Sequence, residues 1–370
     1  MTAPAVAIVT GGGTAGHVLP ALAIAEALVA AGHERSDVHY VGSERGIEAR
    51  LVPPTGFPMV LLPGRGIQRR LTPANLAAIW GLLVAAARAL GLVRRLRPSV
   101  VVAVGGYASV AVGLAAVVWR VPLVVAEQNA APGAANRLLA RFARASAVSF
   151  EGTPLPRAVV TGNPVRPEVA AVDPRRDRER SRQAFGVGEG RHLLLVFGGS
   201  LGALRINRAV LGALPAWRDR ADLSVHHVVG ARDWEEISAA APGDLGALEY
   251  RAVRYEDDMP AALAAADLAV CRSGSGTCFE LAAVGLPAVL VPSPHVTADQ
   301  QTANARRLVE AGAARMVPDA ELDGARLVRE VDDLLADDAG RARMASAARA
   351  WARPSAAADI ARLALEHARG

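Results

Sequence analysis

Lysine is absent from this chain: all 41 of its basic residues are arginine. That excludes chemistry built on a lysine amine, both the G-x-x-x-x-G-K-[ST] phosphate loop and Schiff-base catalysis of the pyridoxal type. Cysteine is scarce. Cys271 and Cys278 cannot form a disulfide scaffold or a four-cysteine metal site, and they fit a reducing compartment. Aromatic residues are only 4%, so the core must be made of alanine, valine and leucine. No Asp-x-Asp motif offers a metal site. The N-terminus (MTAPAVAIVTGGG) has no basic start and no long apolar core, and is not read as a signal peptide. The longest apolar run, Val100 to Trp119, is broken by Gly105, Gly106, Tyr107 and Ser109. It reads as a buried strand, a turn and a buried helix rather than a membrane span.

What is present is ample for folding. The chain has 370 residues, 52% hydrophobic and 21% charged, which suits two domains or three at roughly 150 residues each. The periodicity is α/β. Strand-like runs stand at Ala5 to Thr10, Val38 to Val41, Val100 to Val104 and Val121 to Ala126, with a helix expected over Leu19 to Ala31 and stopped by Gly32. The pattern restarts at Leu193 to Phe197 and continues with Val225 to Val229, Leu268 to Cys271 and Ala288 to Val291. Two doubly wound, Rossmann-like domains in tandem are expected, 1–163 and 164–349, with a helix at about 350–370 that could pack back on either domain, the first being the one named for it. Gly162 to Pro167 reads as the linker. The run Asp173 to Arg182 (DPRRDRERSR) reads as a solvated loop and helix start.

Charge is unevenly placed. From Ala49 to Ala126 there is no acidic residue but nine arginines, so this stretch carries +9 against a whole-chain +5. Apolar Ile67, Leu71, Leu76, Ile79, Trp80, Leu82, Leu83 and Leu92 are interleaved with them. Basic and apolar residues on one face suit an interfacial membrane contact, in particular Gln68 to Arg97 and Trp119. Nucleic acid is disfavoured because stacking aromatics are nearly absent.

Four small-residue loops follow strands, where open α/β sheets bind ligands. They are Gly11 to His17 (GGGTAGH), Gly105 to Ser109 (GGYAS), Gly198 to Ala203 (GGSLGA) and Cys271 to Glu280 (CRSGSGTCFE). Each exposes backbone N–H groups suited to phosphate. Gly11 to Gly16 also matches G-x-G-x-x-G, which keeps a nicotinamide oxidoreductase in play, yet no acidic residue ends the second strand. His17 could take a proton from an attacking hydroxyl. Glu280 could bind ribose hydroxyls. Gln300 and Gln301, beside Asp299, could read sugar hydroxyls, against the plainer reading of a helix start capped by Asp299.

In combination and in order, these motifs resemble the MurG family, glycosyltransferases of the B fold that move N-acetylglucosamine from UDP-GlcNAc to undecaprenyl-pyrophosphoryl-MurNAc-pentapeptide, lipid I. The resemblance runs from Gly11 to about Ala305 and includes AEQN at Ala126, GNPVR at Gly162, EDDM at Glu256 and DQQTANA at Asp299. It implies an inverting hexosyltransferase making lipid II for peptidoglycan, with His17 as general base and Glu127 as an assistant. Thr14, Ala15, Gly16, Asn129, Arg166 and Ser200 match donor-contacting positions, with Ser200 on the diphosphate. Glu256 matches a backbone contact to uracil. Ser275, Gly276, Thr277 and Glu280 match the nucleoside segment, and Gln300 and Gln301 the sugar-reading pair. Ala15 and Leu201 replace the family's usual Gly and Gln, and Glu256 stands where a hydrophobic residue is common. The resemblance implies no metal and no other cofactor. It implies a peripheral location on the cytoplasmic leaflet, other wall-synthesis proteins as partners, and a role in cell shape and division. A UDP-GlcNAc 2-epimerase and a non-catalytic nucleotide-binding membrane protein are the alternatives.

Overall fold

The computed structural model describes residues 6–63, 73–199 and 202–369, apart from the side chains of 73–80 and 82. The chain divides into two compact units, Met1–Val165 with Arg353–Gly370, and Arg166–Ala352.

The first unit holds a seven-stranded parallel sheet. Its strands are β1 (Ala7–Gly11), β2 (Val38–Ser43), β3 (Met59–Leu62), β4 (Val100–Gly105), β5 (Leu123–Glu127), β6 (Ala145–Val148) and β7 (Ala158–Val160), in the order β3-β2-β1-β4-β5-β6-β7. β1, β4 and β5 are buried along their whole length, as strands covered on both faces must be. The helices are α1 (Ala15–Ala30), α2 (Glu48–Leu51), α3 (Pro73–Leu96), α4 (Tyr107–Val118) and α5 (Ala134–Leu139). On α1 the buried positions Val18, Ala21, Ile24, Ala25 and Leu28 recur at helical spacing. Gly32, at φ 101°, follows its end. α1 begins at Ala15, four residues before the expected start, so His17 belongs to its first turn. On α3 it is Ala85, Ala89, Leu92, Val93 and Leu96 that pack on the sheet. The apolar run at Val100 is divided between β4 and α4, and among the described residues no helix is long and apolar enough to cross a membrane.

The second unit holds a six-stranded parallel sheet. Its strands are β8 (His192–Phe197), β9 (Leu223–Val228), β10 (Glu249–Val253), β11 (Leu268–Cys271), β12 (Ala288–Leu290) and β13 (Arg315–Met316), in the order β10-β9-β8-β11-β12-β13. Its helices are α6 (Pro167–Ala170), α7 (Pro174–Ala184), α8 (Leu204–Trp217), α9 (Trp234–Ala240), α10 (Met259–Ala265), α11 (Ser275–Val284), α12 (Gln300–Glu310), α13 (Gly324–Ala336) and α14 (Asp338–Trp351). The last helix, α15 (Ala356–Glu366), belongs to the first unit. Its Ile360, Ala361, Leu363 and Ala364 share a core cluster with Val18, Ala21 and Ile24 of α1.

Sequence reading passed over β3, β6, β7, β10 and β13. Four of them are edge strands and β6 lies next to an edge; β7 and β13, with three and two residues, are too short to show a period, and β10 mixes charged and apolar residues that are exposed or half-buried. The reading of Asp173 to Arg182 as a solvated loop and helix start holds in part: the segment forms most of α7, with Asp173, Arg175, Arg176, Glu179 and Arg180 exposed, but two of its arginines are anchored. Arg178 Nη2 lies 2.6 Å from Asp267 Oδ1, Arg182 Nη1 lies 3.1 Å from Asp267 Oδ2, and Arg182 Nη2 donates to the Arg191 carbonyl at 2.6 Å. Long arginine stems let a charge-rich helix cover a domain while its heads find fixed partners.

In both sheets the strand order reverses once at the centre, between β1 and β4 and between β8 and β11. The carboxyl ends of these strands are the ligand crevices of doubly wound sheets. The four loops singled out in the sequence follow these four strands.

Candidate active site

In the first unit, the loop after β1 and the loop after β4 touch. Gly12 N donates to the Gly105 carbonyl at 3.2 Å. Gly105 and Gly106 have φ of 125° and 88°, a region that L side chains avoid. A Cβ on Gly105 would come within 3.0 Å of His17 Nε2, so glycine there admits the imidazole. Ser109 Oγ, 2.8 Å from the carbonyls of Thr10 and Gly105, ties the two strand ends. His17 Nδ1 lies 3.2 Å from the Gly12 carbonyl. A carbonyl only accepts, so Nδ1 carries the proton and the lone pair stands on Nε2. Thr14 precedes α1 in extended conformation, and its side chain makes no capping bond; its Oγ1 is 3.4 Å from His17 Nδ1. Ala15 and Gly16 are exposed in the first turn. Burial pushes the pKa of His17 down, opposed by Glu127, the Gly12 carbonyl and Glu48.

Glu127 ends β5 and is buried. Its carboxylate accepts from Asn129 N at 2.9 Å, Asn129 Nδ2 at 3.2 Å, Gly133 N at 3.0 Å and Asn136 Nδ2 at 2.9 Å. These bonds shape its own loop, so its geometry is that of a group positioning Asn129 and acting on His17 through its charge. Glu48 was not found in the sequence. It lies in an ordinary polar segment, and only the glycines around it, Gly42 and Gly46, hint that something occupies their missing Cβ positions.

In the second unit, Arg166 and Glu280 meet although 114 residues apart: Nε to Oε1 is 2.6 Å and Nη2 to Oε2 is 3.2 Å. Glu280 lies on α11, whose first turn contains Ser275, Gly276 and Thr277 and is preceded by Gly274 with no side-chain cap. Gly276 has no positive φ and would meet nothing within 4 Å if it carried a Cβ. Neither backbone nor packing in its unit asks for glycine there, although glycine costs a helix up to about 1 kcal/mol. The position therefore leaves room for a ligand to approach the first turn closely. Gly16, at the matching place on α1, has only the Thr14 hydroxyl, at 3.8 Å, near its absent Cβ.

The loops after β11 and β12 and the start of α12 are tied together. Ser273 Oγ donates to the Gln301 carbonyl at 2.9 Å, Asn304 Nδ2 to the Ser273 carbonyl at 3.2 Å, and Ser293 N to Gln301 Oε1 at 2.8 Å. Gln301 therefore has one amide face committed, and Gln300 stands beside it at the helix start. Asp299 does not cap α12 with its side chain; its Oδ1 accepts from Thr302 Oγ1 at 2.7 Å. Ala298 and Asp299 both take left-handed backbone, φ 55° and 49°, strain of the kind held at ligand sites. A cavity of about 750 Å3 borders Gly198, Gly202, Arg205, Arg272, Ser293 and Gln301. Ser200 and Leu201 lie outside the described residues.

Glu256 turns its side chain inward. Oε2 is 2.8 Å from His226 Nε2 and Oε1 accepts from Asp258 N at 2.9 Å. Its chain neighbour Tyr255 is close enough to act electrostatically on Arg166, which places this segment near the Arg166–Glu280 pair. Among the described residues no group of three or more His, Cys, Asp or Glu side chains could hold a metal ion. Both cysteines are buried, and burial pushes the Cys278 thiol up to about 12.

A polar network supports the loop after β8. His227 Nε2 is 3.0 Å from Asn207 Oδ1, and Asn207 Nδ2 donates to the Val229 carbonyl and Asp233 Oδ2 at 3.0 and 3.1 Å. Burial, and secondarily His226, pushes the pKa of His227 down to about 3. The unfolded chain protonates near 6.5 and the folded one does not, so stability falls as pH drops below 6.5 and levels off near 3. At pH 5 this one group removes about 2 kcal/mol. Urea unfolding at pH 7 and pH 5 is expected to show that loss, and His227→Gln to reduce it.

Two family models match the chain: the glycosyltransferase family 28 N-terminal domain over residues 7–148 and its C-terminal domain over residues 193–362. With two parallel-sheet α/β units and glycine-rich loops at both switch points, the molecule is a glycosyltransferase of the B fold. The crystal structure of Acinetobacter baumannii MurG, 28% identical, matches with a TM-score of 0.80 over 98% of this chain and 100% of that one. A relative from Desulforudis audaxviator, 39% identical over 95% of this chain and 96% of its own length, is named UDP-N-acetylglucosamine–N-acetylmuramyl-(pentapeptide) pyrophosphoryl-undecaprenol N-acetylglucosamine transferase. This chain belongs to the MurG family. A Neisseria meningitidis UDP-GlcNAc 2-epimerase bound to UDP-GlcNAc, 13% identical with a TM-score of 0.67 over 97% of this chain and 100% of that one, shares the fold alone.

Proposed function

We propose that this enzyme transfers GlcNAc from UDP-GlcNAc to the C4 hydroxyl of MurNAc in undecaprenyl-pyrophosphoryl-MurNAc-pentapeptide, converting lipid I to lipid II for peptidoglycan. The observation that carries the reading is near-full-length identity of 39% to a relative of that name. The donor sugar is α-linked, so direct attack by the C4 hydroxyl gives a β product. The hydroxyl oxygen bonds to the anomeric carbon, the bond from that carbon to the diphosphate breaks, and UDP leaves with the electron pair. The hydroxyl proton goes to His17, whose Nδ1–H on Gly12 leaves Nε2 as the base. Thr14, Ala15, Gly16 and Asn129 serve the donor from the first unit. Ser200 and the N–H groups around it stabilise the departing diphosphate, with Arg166 supplying positive charge. Ser275, Gly276, Thr277 and Glu280 hold the nucleoside, Glu256 offers its backbone to the uracil, and Gln300 and Gln301 read the sugar. Glu127 assists by fixing Asn129 and by its charge.

The first unit serves the acceptor at the cytoplasmic surface of the membrane. Leu83, Val118 and Trp119 are exposed, Arg94 stacks 5.5 Å from the Trp119 ring centre, and Arg88, Arg95 and Arg120 add to the arginine-rich stretch. Such a face suits anionic headgroups and shallow apolar contact. Gln68, Arg69 and Arg70 fall outside the described residues. Peripheral attachment there would place the enzyme beside its lipid acceptor and other wall-synthesis proteins, in the service of cell shape and division.

The test is transfer of labelled GlcNAc from UDP-GlcNAc to a short-chain lipid I analogue, with and without EDTA. Acceptor-dependent UDP release and a β-linked disaccharide, indifferent to EDTA, support the reading. Epimerised sugar, or donor binding without transfer, overturns it in favour of the epimerase or the non-catalytic alternative. In the same preparation, reversing Arg94 and Arg95 to Glu is expected to weaken binding to anionic vesicles by about 10²–10³-fold at low salt, at about 1 kcal/mol per unit charge. Unchanged vesicle binding would dismiss this face.

A further inference from the structure

Glu48 is fully buried at the start of α2, and among the described residues no cation pairs with it. Burying a carboxylate without a counter-charge is costly unless donors surround it. The fold supplies them. Oε1 accepts from Ser43 N and Ser43 Oγ, each at 2.7 Å. Gly13 N lies 3.0 Å from Oε2 and 3.3 Å from Oε1. Three glycines from separate segments clear the space: a Cβ on Gly12, Gly42 or Gly46 would run into the Glu48 side chain.

The bond to Gly13 has a consequence for His17. Gly13 N and Gly12 O belong to one peptide group. Its N–H points to the Glu48 carboxylate, and its carbonyl accepts from His17 Nδ1 at 3.2 Å. One rigid, planar peptide therefore connects a buried anion to the imidazole. A carboxylate on the N–H side polarises the carbonyl on the other side, strengthening its hold on the Nδ1 proton. It resists rotation of the Gly12–Gly13 peptide, which glycine φ and ψ freedom would otherwise permit.

We propose that Glu48 is a positioning residue for transfer: through the Gly12–Gly13 peptide it fixes the orientation and Nδ1–H tautomer of His17 and supports the positive charge that forms on the ring. This rests on the reading of His17 as the base. The titratable groups that act on His17 are Glu127 from β5 and Glu48 from α2. Both oppose the effect of burial, so loss of either lowers the pKa of the ring.

The test uses the full chain with Glu48→Gln. Glutamine can still accept from Ser43, but its amide N–H2 meets the Gly13 N–H, donor against donor. The expected result is a fall in kcat of about 10–100-fold with the KM for UDP-GlcNAc within about three-fold. The acidic limb of the kcat–pH profile moves to lower pH. In 15N-histidine spectra, His17 passes from a single Nδ1–H tautomer to a mixture. In the unaltered protein, the Gly13 amide is expected to titrate together with His17, a readout that survives if the variant does not fold. An unmoved pH limb and an unmoved tautomer in folded Glu48→Gln overturn the proposal even if kcat falls, as does a Gly13 amide indifferent to His17. Should His17→Ala retain turnover, the base reading fails, while the tautomer and amide readouts still decide whether Glu48 holds the ring.

Discussion

His17→Ala is expected to lower kcat by about 10²–10⁴-fold, the contribution of a positioned general base, and to leave the KM for UDP-GlcNAc within about three-fold. The split follows from the site. His17 bonds its own loop through Nδ1 and contributes a lone pair, which matters when the acceptor hydroxyl loses its proton and little when the donor binds. The pH dependence has a definite sign. Burial lowers the pKa of His17 below 6.5, so the ring is neutral at pH 7, and kcat is lost as pH falls through that lowered value. His17→Gln, which keeps hydrogen-bonding capacity without a base, is expected to be as slow as His17→Ala. Steady-state kinetics with the short-chain acceptor check this, and turnover within three-fold of the parent for either variant would remove His17 from the mechanism.

Glu280→Gln is expected to act on the other parameter, raising the KM for UDP-GlcNAc by about 10–200-fold, or about 1.4–3 kcal/mol, with kcat falling less. Two effects combine. The carboxylate is the two-oxygen acceptor proposed for the ribose hydroxyls, and it is also the partner that fixes Arg166. A double-mutant cycle with Arg166→Ala separates them. If Glu280 serves only to hold Arg166, the single variants lose equally and the double variant loses no more. If it also reads ribose, Glu280→Gln loses more than Arg166→Ala, and that excess vanishes with a donor lacking the ribose hydroxyls. Isothermal titration with UDP provides the same comparison without turnover. A KM and UDP affinity unchanged in Glu280→Gln would exclude the carboxylate from the nucleoside site.

Much of this site was legible in the sequence because parallel sheets impose a local rule. A buried strand is a continuous apolar run, and the loop after it must turn tightly. At β1, β4, β8 and β11 both features lie within about a dozen residues, so glycine clusters mark the loops directly. The edge strands β7 and β10 were not legible: β7 is only three residues long, too short to show a run, and β10 mixes charged and apolar residues. The arginine-rich segment that forms most of α7 was legible as a helix start, but the anchoring of its Arg178 and Arg182 was not. Composition reports charge but not partners, and Asp267, which receives Arg178 and Arg182, lies 85 residues or more away in the chain.

By itself the sequence determined the α/β class, the tandem of two doubly wound units, the four loops and the presence of His17, Glu280 and the glutamine pair beside them. These depend on short-range patterns: strand and helix periods, glycine at turns, and chemistry carried by single residue types. Only the tertiary structure decided how those groups are held. It placed Glu48 on the Gly12–Gly13 peptide across 35 residues, joined Arg166 to Glu280 across 114, turned Glu127 onto its own loop, and set α15 against α1. Such contacts depend on which strands pair side by side, and in a parallel sheet each pairing is made through a crossover. No local period in the chain records which distant side chain that pairing brings near.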